Sequence, residues 1–299
     1  AMGNAALTTN TTGASNTGMG SSALQANTTG DQNVAVGTFV LDTNTTGGQN
    51  TAVGYAAMDN NTTGAQNTAV GGLALDANST ASNNTAVGYA SLSANTTGTR
   101  NTALGDSALI ANTTANDNTA VGYQAMTANT TGTGCIAMGR SALIANTTGG
   151  SNTALGYATL GSNTTGSENI GIGADALIAN TTGTNNVAVG TYALDANTTA
   201  SFNTAVGHLA LGANTTGAIN TAIGRRSLLN NTTGHSNTAL GVDALLATTT
   251  GTHNTALGLD AMFDNTTGIQ NTAVGFSAGQ QITTGDDNIC IGHDSADNL

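Results

Sequence analysis

The chain has 299 residues with 41 Gly, no Pro, no Trp and only 3% aromatic residues, so it lacks the bulky side chains of an ordinary globular core. Four Arg, with no Lys, stand against 16 acidic residues for a formal net charge of −12; phosphate binding needs clustered cations, so nucleic acid is not an expected partner. No apolar stretch approaches the length of a membrane span and no charged start leads into an apolar run, so no membrane insertion and no export signal are expected in this segment.

What the chain has is a period. NTAVG or a close variant begins at Asn16, Asn33, Asn50, Asn67, Asn84, Asn101 and Asn118 and continues to Asn271 and Asn288, with no insertion or deletion in a spacing of seventeen. Such a fixed period is the signature of a solenoid, whose repeats bury their apolar faces only against neighbours. The expected fold is all-β: a parallel β-solenoid (β-roll) of about seventeen 17-residue coils. It forms one repeat domain over 1–299, regular over 1–278 and divergent over 279–299. Asn, Thr, Ala and Gly dominate, a bias that by composition permits disorder; the return of apolar residues to the same places argues against it.

Let slot one be the Asn of NTAVG. Slot two is β-branched in every coil, Thr in twelve and Val34, Ile136, Ile170, Val187 and Ile289 in the rest. Slot three is small and slot four apolar, as in Val36, Leu104, Met138 and Ile172. Together they read as a short strand with two faces, slot four helping to form the core and the small residues of slot three forming a smooth stripe suited to another chain. Slot five is always Gly: Gly37, Gly54, Gly71, Gly88, Gly105, Gly122, Gly156, Gly190, Gly207, Gly241 and Gly275 are the predicted structural turn glycines, supplying positive φ or close backbone approach.

Slot six varies and is expected to face water; Tyr55, Tyr89, Tyr123 and Tyr157 share it. A small residue and a Leu or Met follow, as in Ala108 and Leu109, and fill a second apolar column. The stretch around them, such as 55–60, reads equally as a second strand or one helical turn. Slot ten carries Asp42, Asp59, Asp76 and Asp195 in a broken file that reads as a solvated face. The coil closes on Asn-Thr-Thr-Gly, with Ala81, Ala115 and Ala200 at the last position; Asn and Gly at fixed offsets are turn chemistry. Stacked in register, the Asn become hydrogen-bonded amide columns.

No nucleophile, base and orienting acid recur together, so the chain is not expected to be an enzyme, and neither a catalytic residue nor a cofactor is assigned. His208, His235, His253 and His293 share no common file, so no metal site is assigned. Cys135 and Cys290 stand nine coils apart, on the order of 43 Å by strand spacing, beyond disulfide reach; both are expected as buried thiols.

The NTAVG coil with its small-apolar pair resembles the SVAIG-type repeats in the head domains of trimeric autotransporter adhesins, and the NTAVG and NTTG repeats of bacterial and phage-like fibre proteins that end in an intramolecular chaperone domain. The segment from Gly275 to Gly292 is similar to the transition such fibres make near their C-terminal region. The resemblance implies a parallel homotrimer at the cell surface, in the extracellular space or on a virion fibre, a structural stalk or adhesin head, with a host-surface receptor of unknown identity. A second expectation is ice binding: the last Thr of NTTG is never replaced, and Thr29, Thr46, Thr63, Thr97, Thr131, Thr148, Thr182, Thr216, Thr233 and Thr267 would form the ice face. The competing reading of that file is hydrogen bonding within the turn.

Overall fold

The computed structural model describes residues 1–296; the end of the divergent C-terminal segment, 297–299, lies outside the described residues. The fold is an all-β parallel solenoid of about sixteen 17-residue coils, with no helix among the described residues. Each coil contributes one three-residue strand. The chain divides into two compact units, Ala1–Ser151 and Asn152–Leu299. The first carries the strands from β1 (Thr17–Met19) to β8 (Ile136–Met138), the second those from β9 (Thr153–Leu155) to β17 (Ile289–Ile291).

Within each unit neighbouring strands pair in parallel and in strict register. Thr51, Ala52 and Val53 lie opposite Thr68, Ala69 and Val70 in the first, and Thr204, Ala205 and Val206 opposite Thr221, Ala222 and Ile223 in the second. Identical slots therefore form files, as the period predicts. The divergent segment keeps this pairing, with Ile289 opposite Thr272 and Ile291 opposite Val274. Its interior is rearranged: Gly279 stands where other coils have Leu or Met, and Ile282 replaces the slot-twelve Asn, its Cδ1 3.2 Å from where a Cβ on Gly279 would sit. A side chain entering from another corner takes over the space the missing Leu leaves.

The two faces of the strand are the reverse of the expectation. Slot three points inward, with Ala52, Ala69, Ala86 and Ala103 fully buried. Slot four points out, and Val70, Leu104 and Met138 are 36%, 40% and 45% exposed. The interior is narrow, because the slot-nine Leu or Met and the slot-eight Ala already fill it, and only a methyl fits opposite. Residues 154–171 illustrate the constraint: where slot eight grows from Ala to Thr159, slot three shrinks to Gly171, and a Cβ there would meet Thr159 Cγ2 at 2.6 Å. The smooth alanine stripe is thus core and offers nothing to another chain.

The stretch after the strand is neither second strand nor helix but a corner with residues in the left-handed region at slots seven and nine, such as Ser107 (φ 57°) and Leu109 (φ 52°). A third such residue sits at slot seventeen, as in Gln66 (φ 60°). Rung-to-rung bonds hold the corner: Ser107 N donates to Tyr89 O at 2.9 Å and Leu109 N to Ala125 O at 3.0 Å. The glycines of slot five have φ near +136° and sit under the carbonyl of the next rung; a Cβ on Gly122 would lie 2.6 Å from Gly139 O. Close approach and positive φ both require glycine there.

Two buried amide ladders close the coil. In slot twelve, Asn61 Nδ2 donates to Asn44 Oδ1 at 2.8 Å and to Gly64 O at 3.0 Å. In slot one, Asn50 Nδ2 donates to the same Gly64 O at 2.8 Å, and Asn50 Oδ1 accepts from Asn67 N at 3.0 Å. One carbonyl thus ties both ladders together, and in these intact rungs the buried amides are paired within the protein.

Candidate functional site

Because the interior is sealed by Ala, Leu and Asn, whatever the chain does it does with outward slots. The strand face presents slots two and four. Across all strands these positions hold only Thr, Val, Ile, Leu and Met, and no charge enters them although the chain carries a net charge of −12. Ile170, Ile172, Leu240 and Leu257 are exposed on it in the second unit, and Leu104, Ile136 and Met138 in the first. The face is uncharged and repeating, with Thr at slot two in twelve coils and an aliphatic or Met side chain at slot four.

The NTTG corner presents a second file. Its first Thr is half-buried and its hydroxyl donates to the next rung, as Thr45 Oγ1 does to Thr62 O at 3.0 Å. The second Thr, the candidate ice-face residue, is exposed at all ten predicted positions, and among the described residues its hydroxyl makes no hydrogen bond within the protein. The file therefore does not bond within the turn, and the neighbouring Thr hydroxyl bonds to the next rung instead. Single-file exposure follows from the strict rung register.

A third file runs through slot six, where Tyr55, Tyr89 and Tyr123 of the first unit are 59%, 58% and 48% exposed. Phe39 meets Tyr55 edge-on at 6.1 Å, and the Arg140 guanidinium stands 6.0 Å from the Tyr123 ring centre. In slot ten the carboxylates of Asp42, Asp59 and Asp76 are half-buried instead of fully solvated. Burial pushes all three carboxyls above the ordinary carboxylate range, and at Asp59 the charges of Asp42 and Asp76 push the same way. Asp195 is raised by burial in the same manner.

The structure brings His235 and His253 together, with rings 5.2 Å apart, although their slots differ by one, and stacks His293 on Phe276 at 5.0 Å. No group of three or more His, Cys, Asp or Glu converges as metal ligands among the described residues. Cys135 and Cys290 are both buried thiols. No helix among the described residues is long and apolar enough to cross a membrane. Comparison of the chain with protein-family models, curated proteins and solved structures finds no match.

Proposed function

We propose that this chain is a shaft or adhesin-head segment of a bacterial surface or phage-like fibre, without catalysis, assembled as a parallel homotrimer through its strand face. The observation that carries the reading is the exclusion of charge from slots two and four of every coil in a strongly acidic chain. Each strand offers about 10 Å by 4.8 Å of face, so the eight strands of the first unit and the nine of the second each offer roughly 400 Å². Parallel alignment sets each coil with an aliphatic slot two against its own copy; full antiparallel overlap sets Ile289 against Thr17. The number three rests on the likeness to adhesin heads, as does an extracellular or virion location with a receptor at the far end.

Light scattering coupled to size exclusion tests this: the expected mass is three times the 29.1 kDa chain. V87D combined with V121D should lower that mass to the monomer with the circular dichroism unchanged, since both side chains point outward. A wild-type monomer at micromolar concentration refutes the assembly.

Ice binding is the second reading, favoured by the exposed and internally unbonded Thr file. One observation weighs against it: the Thr file is one side chain wide. Thermal hysteresis that is abolished by T131Y with T148Y supports ice binding; its absence leaves the shaft.

A further inference from the structure

The exposed tyrosines of slot six have a period of their own. Tyr55, Tyr89 and Tyr123 stand 34 residues apart, so they occupy alternate rungs of the first unit, with Gly72 and Asp106 in the rungs between. The rung register at this corner is fixed by backbone bonds from Leu73 N to Tyr55 O, Ala90 N to Gly72 O and Ser107 N to Tyr89 O, at 2.9 Å each. Two parallel-strand spacings place successive tyrosines about 9.5 Å apart along the unit. The Tyr89 ring leans along the file over Gly72, its Cδ2 and Cε2 at ordinary contact distances of 3.6 and 3.8 Å from where a Cβ on Gly72 would sit. The intervening Asp106 is a charged hydrogen-bonding group, its carboxylate accepting from Ser107 Oγ at 2.8 Å, and Gln124 adjoins Tyr123.

We infer that this file binds a β-1,4-linked glycan chain lying parallel to the stack of rungs. Such a chain is a flat ribbon in which consecutive sugars are flipped, so every second sugar presents the same C–H face. Each sugar advances the ribbon by close to one rung, and alternate sugars meet successive tyrosines. An aromatic face accepts the slightly positive C–H groups of a pyranose as it accepts an aromatic edge, and the phenolic hydroxyl serves the sugar's rim. Asp106 meets the hydroxyls of the flipped sugar between two rings. A globular protein partner has no reason to prefer alternate rungs. The inference is independent of the shaft reading: slot six lies outside the strand face, and charged variants of that face leave it intact.

The test uses the full chain, with cellohexaose and chitohexaose as probes and maltohexaose, whose α-linkage curls the chain, as the control; calorimetry and tyrosine fluorescence report binding. At least one β-linked hexaose should bind and maltohexaose should not, and the arm that binds distinguishes a glucan from a chitin-type ligand. Y89A and Y55A should each weaken binding about threefold to tenfold, the loss of one ring contact, while Y89F keeps most of it. Gly and Asp occupy this slot naturally, so the variants fold. G72Y combined with Y89A keeps the number of rings but alters the spacing, and it should bind no better than Y89A. The inference is overturned if neither β-linked hexaose binds, if maltohexaose binds equally, or if Y89A or the respaced variant binds as well as wild type.

Discussion

Thr248 interrupts the slot-twelve amide ladder, and the two rungs beside it record the damage. In an intact rung the Asn side chain gives one N–H to the Asn before it and one to a carbonyl, and accepts from the Asn after it; Asn61 does so with Asn44, Gly64 and Asn78, the last at 2.8 Å. At residue 248 the amide is missing, and three buried atoms are left without partners: Asn231 Oδ1, Thr248 Oγ1 and Asn265 Nδ2. Asn265 turns its oxygen to Gly268 N at 2.9 Å instead. T248N supplies the missing N–H and acceptor and removes the stranded hydroxyl. Three orphaned atoms cost about 1 to 3 kcal/mol each, and fixing the new amide costs about 1 in return, so the gain is on the order of 2 to 8 kcal/mol. A gain of that size raises the melting temperature of a unit of this length by at least about 4 °C. The mirror experiment is N112T, which breaks the bonds of Asn112 to Asn95, Ala115 and Asn129 and should lower the melt by a similar amount. Calorimetry on both variants decides. If T248N leaves the melt unmoved and N112T is equally neutral, the ladders do not hold the coil and the reasoning fails.

Two further outcomes are expected. G122A places a methyl 2.6 Å from Gly139 O at a φ of +137°; neither rung can move without its neighbours, so a loss of about 3 kcal/mol or more should appear as a lower melting temperature or as insoluble protein. D59N should stabilise the chain at neutral pH. Burial, with the charges of Asp42 and Asp76, raises the folded-state pKa of Asp59 above 3.8. The ionised form therefore costs stability above that raised value, and the cost disappears as the pH falls through it toward 3.8. Melting temperatures of D59N and wild type should converge on acidification across that window; a constant gap at all pH values contradicts the account.

Much of this architecture is legible in the sequence because a solenoid repeats its instructions. Unbroken spacing fixes the rung, the β-branched residue at slot two fixes the strand, and the invariant Gly of slot five fixes the tight crossing. Polarity misleads at the strand: Val36 and Leu104 look like core and Ala52 and Ala103 like surface, whereas the interior beside a slot-nine Leu has room only for a methyl. Which face of a three-residue strand turns inward depends on the width of the coil, a property no single repeat carries. The left-handed corners were equally hidden. Leu109 and Gln66 hold positive φ because the rung bonds and the inward Leu demand it, and neither residue type advertises that conformation. Turn-like Asn61, by contrast, owes its place to its buried amide rather than to a left-handed backbone.

The division between inward and outward slots also decides where function can be written. Slots one, three, eight, nine, twelve and fifteen are buried and nearly uniform, so a change there costs the stack. Slots six, ten, sixteen and seventeen vary freely, and each change alters one rung's surface while leaving the others in place. A ligand long enough to span several rungs therefore reads the spacing between like side chains along a file, in multiples of seventeen residues. Local motif searching is blind to such a code, since Tyr55 and Tyr89 are as far apart in sequence as two unrelated sites. Once the rung is known, a 34-residue interval becomes a distance of about 9.5 Å, and the same arithmetic makes the effect of moving one tyrosine by one rung a direct measure of whether spacing, rather than aromatic content, carries the recognition.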